Sequence, residues 1–332
     1  MTHDHSTHTW QISRTRAVLL DRPRVFAILN TTPDSFADAG RLPTPAHAAD
    51  AARRAADEGA DGLDIGAEST RPGARRVPAD EQQRRLIPAI SAIRAAGIDL
   101  PITADTTLAQ VARAALDAGA DAINDVSAGT EDHAILALAA ERGAGLILMH
   151  RLRPPDQDAY SDRYAHAPEY PTNPTDPTDP TCPAQPAGVV GAVASFLYSR
   201  ANAARAAGVP AGAIVIDPGL GFGKTVGQNL DLIHAAAAQR ALGYPVLSAL
   251  SRKSFVGRIG LGRDSTPDER LPATLALSVL HLRAGASVFR VHDTAPHRQA
   301  LDAAWALTAR ATPDPSTAPT PTAPHPPAAP PR

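Results

Sequence analysis

Along most of the chain, short apolar, β-branched runs end in a polar residue and give way to Ala/Leu/Arg stretches with helical spacing. The runs predict strands at 24–30, 61–66, 100–105, 120–124, 145–150, 213–217, 245–250 and 287–292. The stretches predict helices near 44–59, 79–97, 107–119, 131–143, 188–208, 228–242, 270–285 and 296–310. Several helices close on glycine, at Gly59, Gly97, Gly119, Gly143, Gly208 and Gly285, where a left-handed cap residue is expected. Eight strand-then-helix units predict an α/β fold, a TIM (β/α)8 barrel over 16–310. A doubly wound sheet is the alternative, and it normally has fewer strands before a break.

Proline marks where this alternation stops. Of 32 prolines, nine fall in 154–186 and nine in 311–332. The first segment reads as a proline-rich insert after strand 5, with Pro171, Pro174, Pro177, Pro180, Pro183 and Pro186 at the three-residue period of a polyproline II helix. A surface spacer is expected there in preference to an SH3-type ligand; a lid over the site or a docking element is the other reading. The second segment is Ala/Pro/Thr-rich and aperiodic, and predicts a disordered C-terminal tail. Residues 1–15, with His3, His5 and His8, are expected to be a flexible N-terminal tail, since nothing nearby completes a metal site.

Composition narrows the function. With 32 basic and 34 acidic side chains and no basic block, neither nucleic acid nor a membrane surface is expected as partner. Aromatics are 4% against 43% apolar residues overall, so the core must rest on Ala, Leu, Val and Ile. The single Cys182 excludes a disulfide scaffold. No run approaches the roughly 20 apolar residues of a membrane span, and no signal peptide is visible, so a soluble cytoplasmic protein is expected. Only two basic residues, Lys224 and Lys253, are lysine.

Barrel chemistry belongs at the C-terminal strand ends. Those ends carry Asn30, Glu68-Ser-Thr-Arg71, Asp105, Asn124-Asp125, His150, Asp217, Ser251-Arg-Lys253, and Arg290 with His292. Helix capping explains some of them, such as Thr44 or Asp125, but not Lys253, Arg290 or His292. Asp105, Asn124 and Asp217 suit a flat heterocycle rich in N–H donors. Asn30, Lys253, Arg290 and His292, on strands that adjoin when a barrel closes, suit an anion. The pattern suggests a heterocycle carrying an anionic leaving group. Asp217–Thr225 fails as a P-loop because Pro218 takes the first glycine position, and Gly257–Gly262 fails as a dinucleotide fingerprint by its spacing. The glycines of 219–223 are expected to let backbone and Phe222 lie beside a flat ligand.

These residues fall in motifs. Phe26-Ala-Ile-Leu-Asn-Thr-Thr-Pro-Asp-Ser-Phe36, Asp64-Ile-Gly-Ala-Glu-Ser-Thr-Arg-Pro-Gly73, Thr103-Ala-Asp-Thr106, Ile123-Asn-Asp-Val126, Asp217–Thr225, Ser251-Arg-Lys-Ser-Phe255 and Arg290-Val-His-Asp293 resemble dihydropteroate synthase, in that family's order. The resemblance covers about 24–310, apart from the insert. It implies a dimeric, Mg²⁺-assisted barrel joining p-aminobenzoate to 6-hydroxymethyl-7,8-dihydropterin diphosphate, and a target for sulfonamides. It also implies that Asp105, Asn124, Met149, Asp217 and Lys253 hold the pterin, and that Asn30 helps place Mg²⁺. Thr70, Arg290 and His292, with Asn30, would take the diphosphate; Thr70, Arg71, Pro72, Gly221, Phe222 and Ser254 would shape the p-aminobenzoate site. Asn30, Lys253, Arg290 and His292 are thereby the expected catalytic set. A non-catalytic pterin- or partner-binding homologue, and a corrinoid methyltransferase using methyltetrahydrofolate, are the rival readings.

Overall fold

The computed structural model describes residues 9–31, 44–170 and 187–311. It opens on an antiparallel hairpin, β1 (Thr9–Gln11) with β2 (Ala17–Leu19), and then alternates strand and helix. The series runs β3 (Arg24–Asn30), α1 (Pro45–Asp57), β4 (Gly62–Gly66), α2 (Ala79–Ala95), β5 (Ile102–Asp105), α3 (Ala109–Asp117), β6 (Ala122–Asp125), α4 (Ala134–Arg142) and β7 (Gly145–Met149). It continues with α5 (Val189–Ala206), β8 (Ile214–Asp217), α6 (Val226–His234), α7 (Ala236–Arg240), β9 (Leu247–Ser248), α8 (Ser254–Leu261), α9 (Leu271–Ala284), β10 (Val288–Val291) and α10 (Thr294–Ala311).

The sheet is parallel throughout, in the order β8-β7-β6-β5-β4-β3-β10-β9, and a bridge from Ile216 to Val246 closes the ring. This is the TIM barrel that the eight units predict. Every residue of β4 through β8 is buried, because helices cover one face and the barrel interior the other. That is why these strands read as continuous apolar runs instead of alternating ones. The six expected closing glycines all have positive φ, from 61° to 124°. Thr44 caps α1, its Oγ1 accepting from His47 N at 3.3 Å. Among the described residues no helix is long and apolar enough to cross a membrane.

Four expectations need correction. Residues 9–15 are not a flexible tail. Trp10 is fully buried, its indole N–H donates to Ala213 O at 3.0 Å, and its ring packs 5.6 Å from that of Phe26. With Ile12, Val18 and Leu20 it joins the interior side chains Val215, Leu247 and Val288 in one apolar cluster. Since Gly145 and Ala213 begin or precede their strands, the hairpin plugs the N-terminal mouth of the barrel. The helix predicted at 228–242 is two, α6 and α7, parted at Ala235. Helix α8 was not foreseen: Gly257 and Gly260 weaken its helical signature, yet a Cβ at Gly257 would come within 2.2 Å of Ser265 Oγ.

The fourth correction concerns the insert. Its described part, 154–170, is no passive spacer. Pro155 and Ser161 are buried, Pro155 O accepts from Gly73 N at 2.7 Å, and the Tyr170 hydroxyl donates to Gly223 O at 2.6 Å. The three-residue proline repeat at 171–186 lies outside the described residues, as do 1–8 and the predicted tail from 312 on.

Candidate active site

Strand register brings the polar ends together. Asn30, Gly66, Asp105 and Asn124 are successive partners across β3, β4, β5 and β6, and Met149 pairs with Asp217 across β7 and β8. Above them opens a cavity of about 840 Å³. Of the expected residues, Asn30, Thr70, Arg71, Pro72, Asp105, Gly221, Phe222, Lys253, Ser254, Arg290 and His292 line it. Asn124, Met149 and Asp217 are buried and do not line it; Met149 packs with Val126 and Phe222.

At its floor lies a charge array that the strand-end reading missed in one member. Asp64, one turn of the pleat below the end of β4 and only 1% exposed, accepts from Arg290 Nε. Arg290 also donates to Asp105 Oδ2 at 2.7 Å. The other Asp64 oxygen accepts from the Thr103 hydroxyl and from Asn124 Nδ2 at 3.1 Å. One cation thus bridges two carboxylates, and Asn124 is tied to the same group. The signal for Asp64 was present: an acid flanked by Leu63 and Ile65 in a wholly buried strand needs a partner. Helix capping does not account for it.

Burial dominates the electrostatics. It pushes Asp105 up to about 7, against the pull of Arg290 and with the help of Asp64. Burial likewise raises Asp217, opposed by Lys253 and by the Gly219 N–H, which donates to it at 2.7 Å. Lys253 is drawn down to about 7 by burial, with Asp217 resisting. Arg290, despite burial, is held more firmly charged by Asp64 and Asp105. His292 is enclosed by protein and faced by Arg290 and Arg252, and these hold its imidazole below its ordinary value. It is therefore neutral at pH 7, a hydrogen-bonding group and not a cation. Ser251 Oγ lies 3.2 Å from its Nδ1.

The loop after β8 puts Gly221 and Phe222 on the cavity wall, and its glycines also let other parts of the protein approach closely. Gly219 has φ of 67°, and a Cβ there would sit 1.8 Å from His150 O. At Gly221, φ is 83° and a Cβ would meet Lys253 Cδ at 2.9 Å. Lys253 consequently lies flat on this loop, donating to Leu220 O with its ammonium 4.3 Å from the Phe222 ring centre. Lys224 holds the loop from beneath. It is fully buried and donates to Phe222 O at 2.8 Å and Gly219 O at 2.9 Å, with His150 Nδ1 3.0 Å away.

Loop 68–77 has its own frame. Glu68 accepts from Val77 N at 3.0 Å and Gln82 Nε2 at 3.0 Å and pairs with Arg76, which also binds Glu131; Arg151 reaches Glu131 at 3.0 Å. Thr70, Arg71 and Pro72 are held out over the cavity by this frame.

The sequence profile of the family described as pterin binding enzyme matches residues 26–292. A dihydropteroate synthase from Streptococcus pyogenes serotype M6 is 41% identical over 269 residues, covering 81% of this chain and 90% of that protein. The solved dihydropteroate synthase of Xanthomonas albilineans with 4-aminobenzoic acid superposes with a TM-score of 0.76 at 38% identity, covering 91% of this chain and 99% of that one. Its complex with 7,8-dihydropteroate gives 0.74 at 36% identity, over the same shares of the two chains.

Proposed function

Because this chain belongs to the pterin binding enzyme family, and within it to the dihydropteroate synthases, we propose that its cavity joins p-aminobenzoate to 6-hydroxymethyl-7,8-dihydropterin diphosphate. The products are 7,8-dihydropteroate and diphosphate. The observation that carries the reading is the Asp64–Arg290–Asp105 array, with Lys253 beside it, at the floor of a cavity roofed by Arg71, Pro72 and Phe222.

Breaking the C–O bond to diphosphate leaves a cationic methylene conjugated to the pterin. Asp105 and Asp217 supply compensating negative charge, and Asp105 accepts from the ring's donors; Lys253 borders the pterin, backed by buried Asn124, bonded to Asp64, and Met149, packed on Phe222. Thr70, Arg290 and His292 face the departing diphosphate, His292 as a neutral N–H donor. No strong base is required, since an aromatic amine is nucleophilic at neutral pH. Thr70, Arg71, Pro72, Gly221, Phe222 and Ser254 border the amine's carrier. Among the described residues no group of three or more His, Cys, Asp or Glu is arranged around a metal. That donor set fits a Mg²⁺ ion held chiefly by diphosphate oxygens and water, with the Asn30 amide oxygen as the protein's ligand. When bound, it would neutralise charge on the leaving group.

Release of diphosphate tests the reading. Both substrates together should yield it and either alone should not; a folded protein that releases none would overturn the assignment. A second measurement concerns Asp105. Ring N–H donors need its ionised form, and protonation near pH 7 competes with them. Dihydropterin affinity should therefore weaken as pH falls from 8 to 6. Asp105→Asn should lose about 1.5–3 kcal/mol at pH 8 and show little of this pH dependence. Wild-type affinity that is flat across the range in calorimetry would remove Asp105 from the site.

A further inference from the structure

One wall of the cavity comes from the described part of the insert. Tyr160 lines the cavity together with Pro72, Phe222 and Ser254. Its neighbours fix it on both sides. Asp158 accepts from Gly223 N at 2.8 Å, and Asp162 accepts from Arg258 at 2.7 and 3.1 Å. Arg258 belongs to α8, whose first residue, Ser254, faces the same cavity. Between the two acids, buried Ser161 accepts from Asn229 Nδ2 at 3.1 Å, and Asn229 Oδ1 accepts from Gly221 N at 2.6 Å. The backbone at Tyr160 is thus tied to both the glycine loop and α8.

The chemistry around this ring is specific. Among the described residues, Tyr160 and Phe222 are the phenylalanine, tyrosine or tryptophan side chains on the cavity wall. The guanidinium of Arg163 lies over the Tyr160 ring, 5.5 Å from its centre. Arg270 also lines the cavity, and burial there lowers its pKa from the ordinary value. Its hydrogen bonds go to Ser265 and to Arg252 O; Asp162 and Asp264 on the same wall favour its charged form, but among the described residues both pair with Arg258. A flat ring beside a guanidinium that lacks a carboxylate partner is the complement of a flat aromatic acid.

We propose that Tyr160 is a specificity-determining residue for the aromatic carboxylate substrate, offering the ring on which that substrate packs while Arg270 meets its carboxylate. The proposal rests on the reaction assigned above and adds two residues that no strand-end motif contains. It gives the insert a part in substrate selection.

Binding to the full chain tests it, independently of turnover, with p-aminobenzoate and its uncharged analogue 4-aminobenzamide as calorimetric probes. Tyr160→Ala should weaken both probes by about tenfold, with dihydropterin affinity unchanged within twofold. Tyr160→Phe should keep wild-type affinity, and Tyr160→Leu replaces the alanine variant if that fails to fold. Arg270→Gln should abolish the preference for the acid over the amide. Unchanged p-aminobenzoate binding in Tyr160→Ala, or an equal loss for the dihydropterin, would overturn the proposal. A wild-type protein that binds both substrates yet releases no diphosphate would sink the reaction and leave this inference standing.

Discussion

An Arg290→Met variant should lose roughly 3–5 kcal/mol of stability at alkaline pH and about a thousandfold in kcat/KM. Both losses trace to one guanidinium. In the folded chain it bridges Asp64 and Asp105, and without it two buried carboxylates face each other with no cation between them. Asp105, already pushed up to about 7, would answer by keeping its proton to still higher pH. A carboxyl whose folded pKa lies above its unfolded value stabilises the fold at low pH and loses that contribution as pH rises through the folded pKa. Below about 7 both proteins hold Asp105 protonated, so the variant's deficit should be smaller at pH 6 than at pH 9. Urea unfolding at the two pH values reads this directly. Adding Asp105→Asn should recover most of the stability and none of the turnover. An equal deficit at both pH values would contradict repulsion as the cause.

Lys224→Met should cost about 3 kcal/mol, or about 5–10 °C in thermal midpoint. Three carbonyls, those of Gly219, Phe222 and His150, converge on its ammonium in a place that water does not reach. Removing the donor leaves them unsatisfied, which is the expensive half of a hydrogen bond. Burial draws Lys224 down to about 7, with Lys253 adding to the shift and Asp217 and Asp158 opposing it. The loop it supports carries Phe222 and forms the bed of Lys253, so kcat/KM should fall as well, with p-aminobenzoate KM rising. Lys224→Arg should not rescue, because a planar fork does not fit where a compact ammonium is ringed by backbone. A midpoint within 2 °C of wild type would show that the loop holds itself.

Much of this site was legible in the sequence because a parallel barrel converts chain order into place. Asn30, Asp105, Arg290 and His292 could be assigned to one mouth from the polar endings of apolar runs alone, and the cavity wall contains all four. What escaped was of another kind. Asp64 sits inside a strand and not at its end, so a rule that looks at ends passes over it. Trp10 lies in three-residue strands, too short to show a period, and its burial depends on contacts some 200 residues away. Tyr160 stands in a proline-interrupted stretch with no periodicity, where placement comes from Asp158, Ser161 and Asp162 finding partners on three different elements. Side chains whose position is fixed by long-range hydrogen bonds leave no local trace in the residue pattern.

The hairpin at the start of the chain bears on the order in which the protein can complete itself. Trp10 donates to Ala213 O, an acceptor 203 residues further along the chain. The cluster it joins also needs Leu247 and Val288. Until those segments have joined the barrel, the hairpin has nowhere to dock. The hairpin thus needs a closed barrel to seat on, and the environment of Trp10 reports that closure and not the folding of any single strand-helix unit.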